Sequence, residues 1–468
     1  MDETKKVNYI HYLIVLFFCF GFRFIPGFAG ITPLGMGILG SFIGAIYGWM
    51  TIDMLWPSIF AILGAGLSIG MSQVMAASFG SETIVALILC MMAVGVAMKN
   101  GAFTWLAVKM LNMKFLEGKG FVSIFVIFMI AWLTGSFNPI IMCVIFCGFL
   151  TSMFNQVGVK KNDPLVIFTF LGVAYQLMRG QILFPFTGTG LVYINSYKGM
   201  FPDLPMPVPN YLLMMGIMGV IMAIVFVALM KFVFRVDASP LANYKMEGGV
   251  PAATKGQKQA LIIFVVFILA NVLATVGPLK PYLSKLGIVG IAIVLGGLVP
   301  LLKDEKGQPL GKLEELLHMC NWGQVTMVGY IMILSRYMNT PDTGITSAMA
   351  VLFKPFMELP PIVFIVVIMI IATILTNIAN NMIVTVLCMP FLVNFGAAVG
   401  MSPVGMVALL FIISEFALAT PAASPVTAVA MSQDLVSTDE MTKAALKIVP
   451  LLFVIFMIIG WPLANIIF

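Results

Sequence analysis

Two charged residues stand inside long apolar stretches of this chain: Arg179 within residues 165–197 and Glu415 within 403–433. A charge in hydrocarbon is costly, which makes it a functional-site candidate by default. Arg179 can attract an anion, and Glu415 can bind a cation or a proton; either can also brace a helix. Each precedes a run of Pro, Gly and hydroxyl residues, Phe184-Pro185-Phe186-Thr187-Gly188-Thr189-Gly190 and Thr420-Pro421-Ala422-Ala423-Ser424-Pro425. Two further polar interruptions, Thr134-Gly135-Ser136-Phe137-Asn138-Pro139 and Thr376-Asn377-Ile378-Ala379-Asn380-Asn381, cut other apolar stretches. Freed carbonyls, hydroxyls and amide oxygens are hard ligands that suit a small cation such as Na⁺. Helix N-termini and Asn or Thr donors suit a carboxylate. Thr134, Ser136, Asn138, Thr376, Asn377 and Asn380 are therefore candidate contacts from one pair of breaks. Thr187, Gly188, Thr189, Ala423, Ser424 and Pro425 are candidates from the other.

The elements that must carry these residues are membrane helices. Of 468 residues, 61% are hydrophobic and 9% charged, against roughly 25% charged in a soluble domain. Apolar stretches of about 20 residues, long enough to cross a bilayer, recur along the whole chain. The expected fold is an all-α polytopic membrane protein with about 11 transmembrane helices and two re-entrant hairpins in two inverted repeats. Residues 1–30 hold a first, retained helix. The first repeat, 31–236, contains spans near 31–50, 54–77, 82–98 and 211–234, a hairpin at 117–155 and a broken helix at 164–198. A polar cytoplasmic linker, 237–258, separates it from the second repeat. That repeat, 259–468, contains spans near 259–277, 286–302, 324–339 and 443–467, a hairpin at 358–397 and a broken helix at 403–433.

The breaks justify the repeat. Thr134 aligns with Thr376 and Asn138 with Asn380 at one separation; Pro185 aligns with Pro421, Gly188 with Ser424 and Arg179 with Glu415 at another. Each arm of the hairpin at 117–155 looks too short to cross alone, and lysines flank both ends, at Lys114 and Lys119 and at Lys160 and Lys161. It should start and finish on one side. Non-helical backbone at membrane depth is tolerated only where it lines a wet cavity or touches a ligand. Paired broken helices in opposite orientations are the pattern of secondary transporters.

Charge supports the same layout. With the N-terminus in the cytoplasm and the C-terminus outside, most of the 25 Lys and Arg, including Lys5 and Lys6, fall inside. Only Arg23, Lys198, Lys280, Lys285 and Lys354 fall outside. That is the positive-inside bias of a multi-pass protein of the cytoplasmic membrane, not a nucleic-acid footprint. The six cysteines lack metal-type pairing, and His11 and His318 lack acidic or nucleophilic neighbours. No P-loop appears. No enzyme, cofactor or resident metal is expected beyond Na⁺.

These motifs resemble the divalent anion/sodium symporters, the dicarboxylate and citrate carriers of the ion transporter superfamily. That family has a Ser-Asn-Thr motif at each hairpin tip. Thr376-Asn377-Ile378 stands at the second, with its final Thr lost, and Thr134-Gly135-Ser136 at the first, with Asn replaced by Gly. Ala419–Pro425 resembles the family's second break, Phe186–Gly190 its first without the paired prolines, and Ile84–Ala107 its fourth span. The resemblance implies a homodimeric elevator carrying a di- or tricarboxylate with Na⁺. Cation-independent exchange or proton coupling are alternatives of the same fold. It places substrate at Ser136, Asn138, Thr189, Asn377, Ile378, Asn380, Pro425 and Thr427. It places Na⁺ at Thr134, Gly135, Asn138, Thr187, Gly188, Thr376, Asn377, Asn380, Ala423 and Ser424.

Overall fold

A computed structural model describes residues 9–245, 249–337, 340–345, 347–348, 351, 360–399 and 402–468. Lys5, Lys6, Lys354 and the first two residues of the expected second hairpin lie outside these. Among the described residues the fold is helical, with one isolated bridge between Lys303 and Pro309. The helices are α1 (Tyr9–Leu16), α2 (Pro33–Thr51), α3 (Leu55–Ile69), α4 (Met71–Ala77), α5 (Glu82–Lys99), α6 (Ala102–Leu111), α7 (Phe121–Gly135), α8 (Pro139–Gln156), α9 (Pro164–Gly180) and α10 (Gly188–Met200). They continue with α11 (Val208–Ala228), α12 (Lys255–Leu273), α13 (Lys280–Leu298), α14 (Leu313–His318), α15 (Trp322–Tyr337), α16 (Pro361–Thr376), α17 (Asn381–Val399), α18 (Pro403–Ser414), α19 (Pro425–Met431) and α20 (Thr438–Ile467).

Among the described residues seven helical segments are long and apolar enough to cross a membrane, namely Pro33–Thr51, Glu82–Lys99, Pro139–Gln156, Val208–Val233, Lys255–Leu273, Lys280–Leu301 and Thr438–Ile467. Their outward faces are apolar, as on α12 (Ile262, Val265, Leu269) and α20 (Leu446, Val454, Ile458). Lipid removes the cost such faces would carry in water.

The chain divides into two compact units, neither of which matches a sequential half. One comprises Met1–Ile88, Asn195–Pro205 and Cys320–Phe364. Its centre is α2, whose Gly40, Gly44 and Gly48 face the turn of helix after α1 (Phe17–Gly21) and α3 so closely that a side chain at any of them would meet Phe18, Cys19 or Pro57. Small residues let membrane helices approach in this way. Ser41 and Tyr330 share a buried hydrogen bond of 2.7 Å, and Trp49 donates to Ser58 at 2.8 Å. The span expected at 54–77 is two helices, because the backbone turns at Gly70 with φ 109°, a conformation open chiefly to glycine.

The other unit comprises Leu89–Ile194, Met206–Met319 and Ile365–Phe468 and holds all four breaks. Here α7 crosses α9 at two glycines. A Cβ on Gly180 would lie 2.9 Å from the Gly135 Cα and run into the Trp132 carbonyl, and one on Gly135 would run into the Leu177 carbonyl. The break after α7 spans only residues 136–138, and Pro139 at the first turn of α8 starts the next arm. One expectation is corrected: α8, with 18 residues, is long enough to cross alone. Another shifts: α12 begins at Lys255, within the expected linker, because Thr254 and Gln257 form a capping box.

Candidate substrate and ion site

The first hairpin satisfies itself. The Thr134 hydroxyl donates to the Ile130 carbonyl at 2.7 Å and Ser136 to Leu133 at 2.9 Å. Asn138 caps α8, its Oδ1 accepting from the Ile141 amide at 3.0 Å, while its Nδ2 meets the Met98 sulfur at 3.8 Å. Gly135 supplies the close crossing with α9, so the position that departs from the family motif has a packing reason.

The second hairpin is tied to the second broken helix. Asn377 lies at the end of α16, and its amide uses every hydrogen-bonding capacity it has. Its Nδ2 donates to the Thr373 carbonyl at 2.8 Å and the Phe416 carbonyl at 3.0 Å. Its Oδ1 accepts from the amides of Leu418 at 2.9 Å and Ala419 at 2.7 Å. Thr376 donates to the Ser414 carbonyl at 2.6 Å, and the Thr420 hydroxyl returns a bond to the Asn377 carbonyl at 2.7 Å. Thr427 reaches back from α19 to the Ala417 carbonyl at 2.6 Å. These bonds hold residues 415–424 out of helical geometry and pair several of the peptide groups that the break frees, as a buried segment requires. Ser424 caps α19 by accepting from Val426 at 3.2 Å. Ala423 is buried beside it, and Pro425 opens the helix.

At the head of this break sits Glu415, fully buried. Its Oε1 accepts from the Tyr193 hydroxyl at 2.9 Å, and its Oε2 accepts from Gln181 Nε2 at 2.6 Å and Asn381 Nδ2 at 2.9 Å. The Thr189 hydroxyl donates to Gln181 Oε1 at 2.8 Å and fixes that amide's orientation. The carboxylate thus gathers side chains from the first break, the helix that follows it, and the second hairpin. Gln181 itself caps α9, and the amide of Gly190 bonds its carbonyl at 3.1 Å across the turn. Gly188, at φ 53°, starts α10 in a left-handed conformation.

Arg179 is also buried, 3% exposed, and carries no ion pair among the described residues. The Tyr175 ring lies 5.4 Å from its guanidinium carbon. Arg179 Nε and Nη1, the Tyr175 hydroxyl, both polar atoms of Gln176 and the Thr187 hydroxyl are buried without a hydrogen-bond partner among the described residues. The sequence points to Arg179, Thr187 and Glu415. It does not point to Tyr175, Gln176, Gln181 or Tyr193, although polar residues beside a charge in an apolar helix are a usable signal. The structure links Thr189 to Glu415 through Gln181, and separately brings Thr376, Asn377 and Thr427 onto residues 414–419. The Asn380 Oδ1 accepts from Met382 at 3.0 Å, and Ile378 is 61% exposed at the hairpin tip. Both lie apart from the Glu415 hydrogen bonds.

No family model matches the chain, and no curated protein matches it in sequence. The fold has a solved counterpart. It is similar to the crystal structure of the Alcanivorax borkumensis YdaH transporter, described as having an unusual topology, with a TM-score of 0.55 at 11% identity over 85% of this chain and 90% of that one. The agreement at this identity is one of fold, and it places the chain among multi-pass helical membrane architectures.

Proposed function

We propose that the chain is a secondary active transporter that moves a small anion, a di- or tricarboxylate, across the cytoplasmic membrane by elevator-type alternating access coupled to Na⁺. The observation that carries this reading is the buried Glu415 carboxylate, which draws Gln181 from one broken helix and Asn381 from the second hairpin into its own break. Broken helices converging on a polar centre are how membrane carriers hold ligand. Arg179, buried two residues before Gln181 and without a salt bridge among the described residues, supplies attraction for an anion. The fold shared with a transporter supports transport in general.

Na⁺ coupling rests on the hydroxyl and carbonyl chemistry of the breaks. Among the described residues no group of three His, Cys, Asp or Glu gathers that could hold a metal, so a cation here relies on neutral oxygens with at most Glu415. That single buried carboxylate also favours a second reading, proton coupling through Glu415. The deciding experiment is uptake of labelled di- and tricarboxylates into proteoliposomes under an inward Na⁺ gradient, a proton gradient, or neither. Uptake that follows Na⁺ supports the first reading, and uptake that follows protons and is lost in Glu415→Gln supports the second. Counterflow persisting with no cation gradient identifies an exchanger, and no uptake of any anion defeats the proposal.

A further inference from the structure

Within α9 and the turn after it, unmet hydrogen-bonding capacity is concentrated. Tyr175 and Gln176 precede Arg179 by four and three residues, which sets all three on neighbouring turns of one helix. All are buried, and the Tyr175 hydroxyl, both ends of the Gln176 amide, and Arg179 Nε and Nη1 are unpartnered among the described residues. Elsewhere in this unit such atoms occur singly, at Thr151 and Gln259. By contrast Glu415, Asn377, Asn381 and Gln181 in the same unit are hydrogen-bonded. A buried cation with unmet donors calls for an anion. The Gln176 amide calls for more. A carboxylate only accepts hydrogen bonds, so it can satisfy Arg179, Tyr175 and Gln176 Nε2 but leaves Gln176 Oε1 unmet. A ligand group that displaces water from such a place without reproducing its bonds loses affinity.

Resting on the carrier reading above, we infer that Tyr175, Gln176 and Arg179 form a subsite for a carboxylate that carries its own hydrogen-bond donor, a hydroxyl or amide N–H beside the carboxyl group. The carboxylate faces Arg179, and the neighbouring donor faces Gln176 Oε1. The subsite discriminates because a site built to bond a hydroxyl rejects the analogue lacking it, leaving its own buried polar group unpaired.

The test is isothermal titration of the detergent-purified full-length protein, with and without Na⁺, using two matched pairs, L-malate with succinate and L-lactate with propionate. The expected result is binding about tenfold or more tighter for the hydroxylated member of a pair. Gln176→Met should bring that ratio towards one while succinate still binds; if that variant does not fold, Gln176→Asn should shift the ratio. Arg179→Gln should weaken every probe about a hundredfold, and Arg179→Lys less, since lysine keeps the charge. Equal affinities within a pair, a ratio untouched at Gln176, wild-type affinity in Arg179→Gln, or no binding of any probe overturns the inference. Its failure is separable from failure of the carrier reading. Probes that bind with the hydroxyl preference yet never cross proteoliposomes defeat transport alone; uptake without that preference defeats only the subsite.

Discussion

Glu415 accepts three hydrogen bonds from three neutral side chains, and this sets what substitutions there should do. Glu415→Ala leaves three buried donors unpaired, each worth roughly 1–3 kcal/mol. It should lower the melting temperature in detergent well below that of Glu415→Gln, which keeps one acceptor oxygen. Glu415→Gln should instead lose at least about tenfold in gradient-driven uptake while keeping its fold, which a transport assay beside a thermal melt resolves. Asn377 is the structural counterpart. Its four bonds hold backbone in place, so Asn377→Ala should cost at least about 2 kcal/mol in denaturation midpoint measurements. Substrate affinity measured below the melting point should change less than in Arg179→Gln. Asn377, read from the sequence as a ligand contact, also clamps the break by its geometry. Local sequence cannot distinguish the two, because the partners of Asn377 lie about forty residues away, at Leu418 and Ala419.

At the scale of elements, helix types and most ends were legible. Proline at the first turn and Asn, Asp, Ser or Thr caps announce α2, α8, α9, α18 and α19. The position of each broken-helix interruption was less legible. The first was expected around Phe184–Gly190, but α9 already stops at Gly180 and α10 resumes at Gly188. The Pro and Gly signals mark where the chain re-enters helix, not where it leaves. The second was expected at Thr420–Pro425, but helix ends at Ser414, because Asn377 pairs the amides that would otherwise continue it. The α7–α9 crossing was also hidden, since nothing near Gly135 names Gly180 as its neighbour. Gly135→Ala and Gly180→Ala each press a methyl group onto a backbone carbonyl, and each should destabilise by about 1–3 kcal/mol. The double variant should cost less than the two added together, because both changes relieve themselves by separating the same helices. Thermal melts of the three variants check this.

At the scale of the molecule, composition alone was enough for an all-helical membrane fold, because few charges and repeated apolar stretches leave no other solvent for these surfaces. The two compact units were not legible, since each assembles segments from both halves of the chain. Orientation is open to a direct measurement. All six cysteines are buried, so labelling by a membrane-impermeant maleimide starts from a low background. The charge distribution predicts that Lys119→Cys and Lys160→Cys, which flank the first hairpin, label from the cytoplasmic side alike, and Asp203→Cys from the opposite side. Labelling of positions 119 and 160 from opposite faces would make that segment a single net crossing and overturn the same-side layout.

The amide of Asn377, with the hydroxyls of Thr376 and Thr420, stitches the tip of one helical hairpin to the peptide that follows it in the next arm. Such a seam leaves little room for a gate to part along it. Whatever opens to admit cargo should do so at another border of this unit, and a covalent staple engineered across the seam should leave turnover undisturbed.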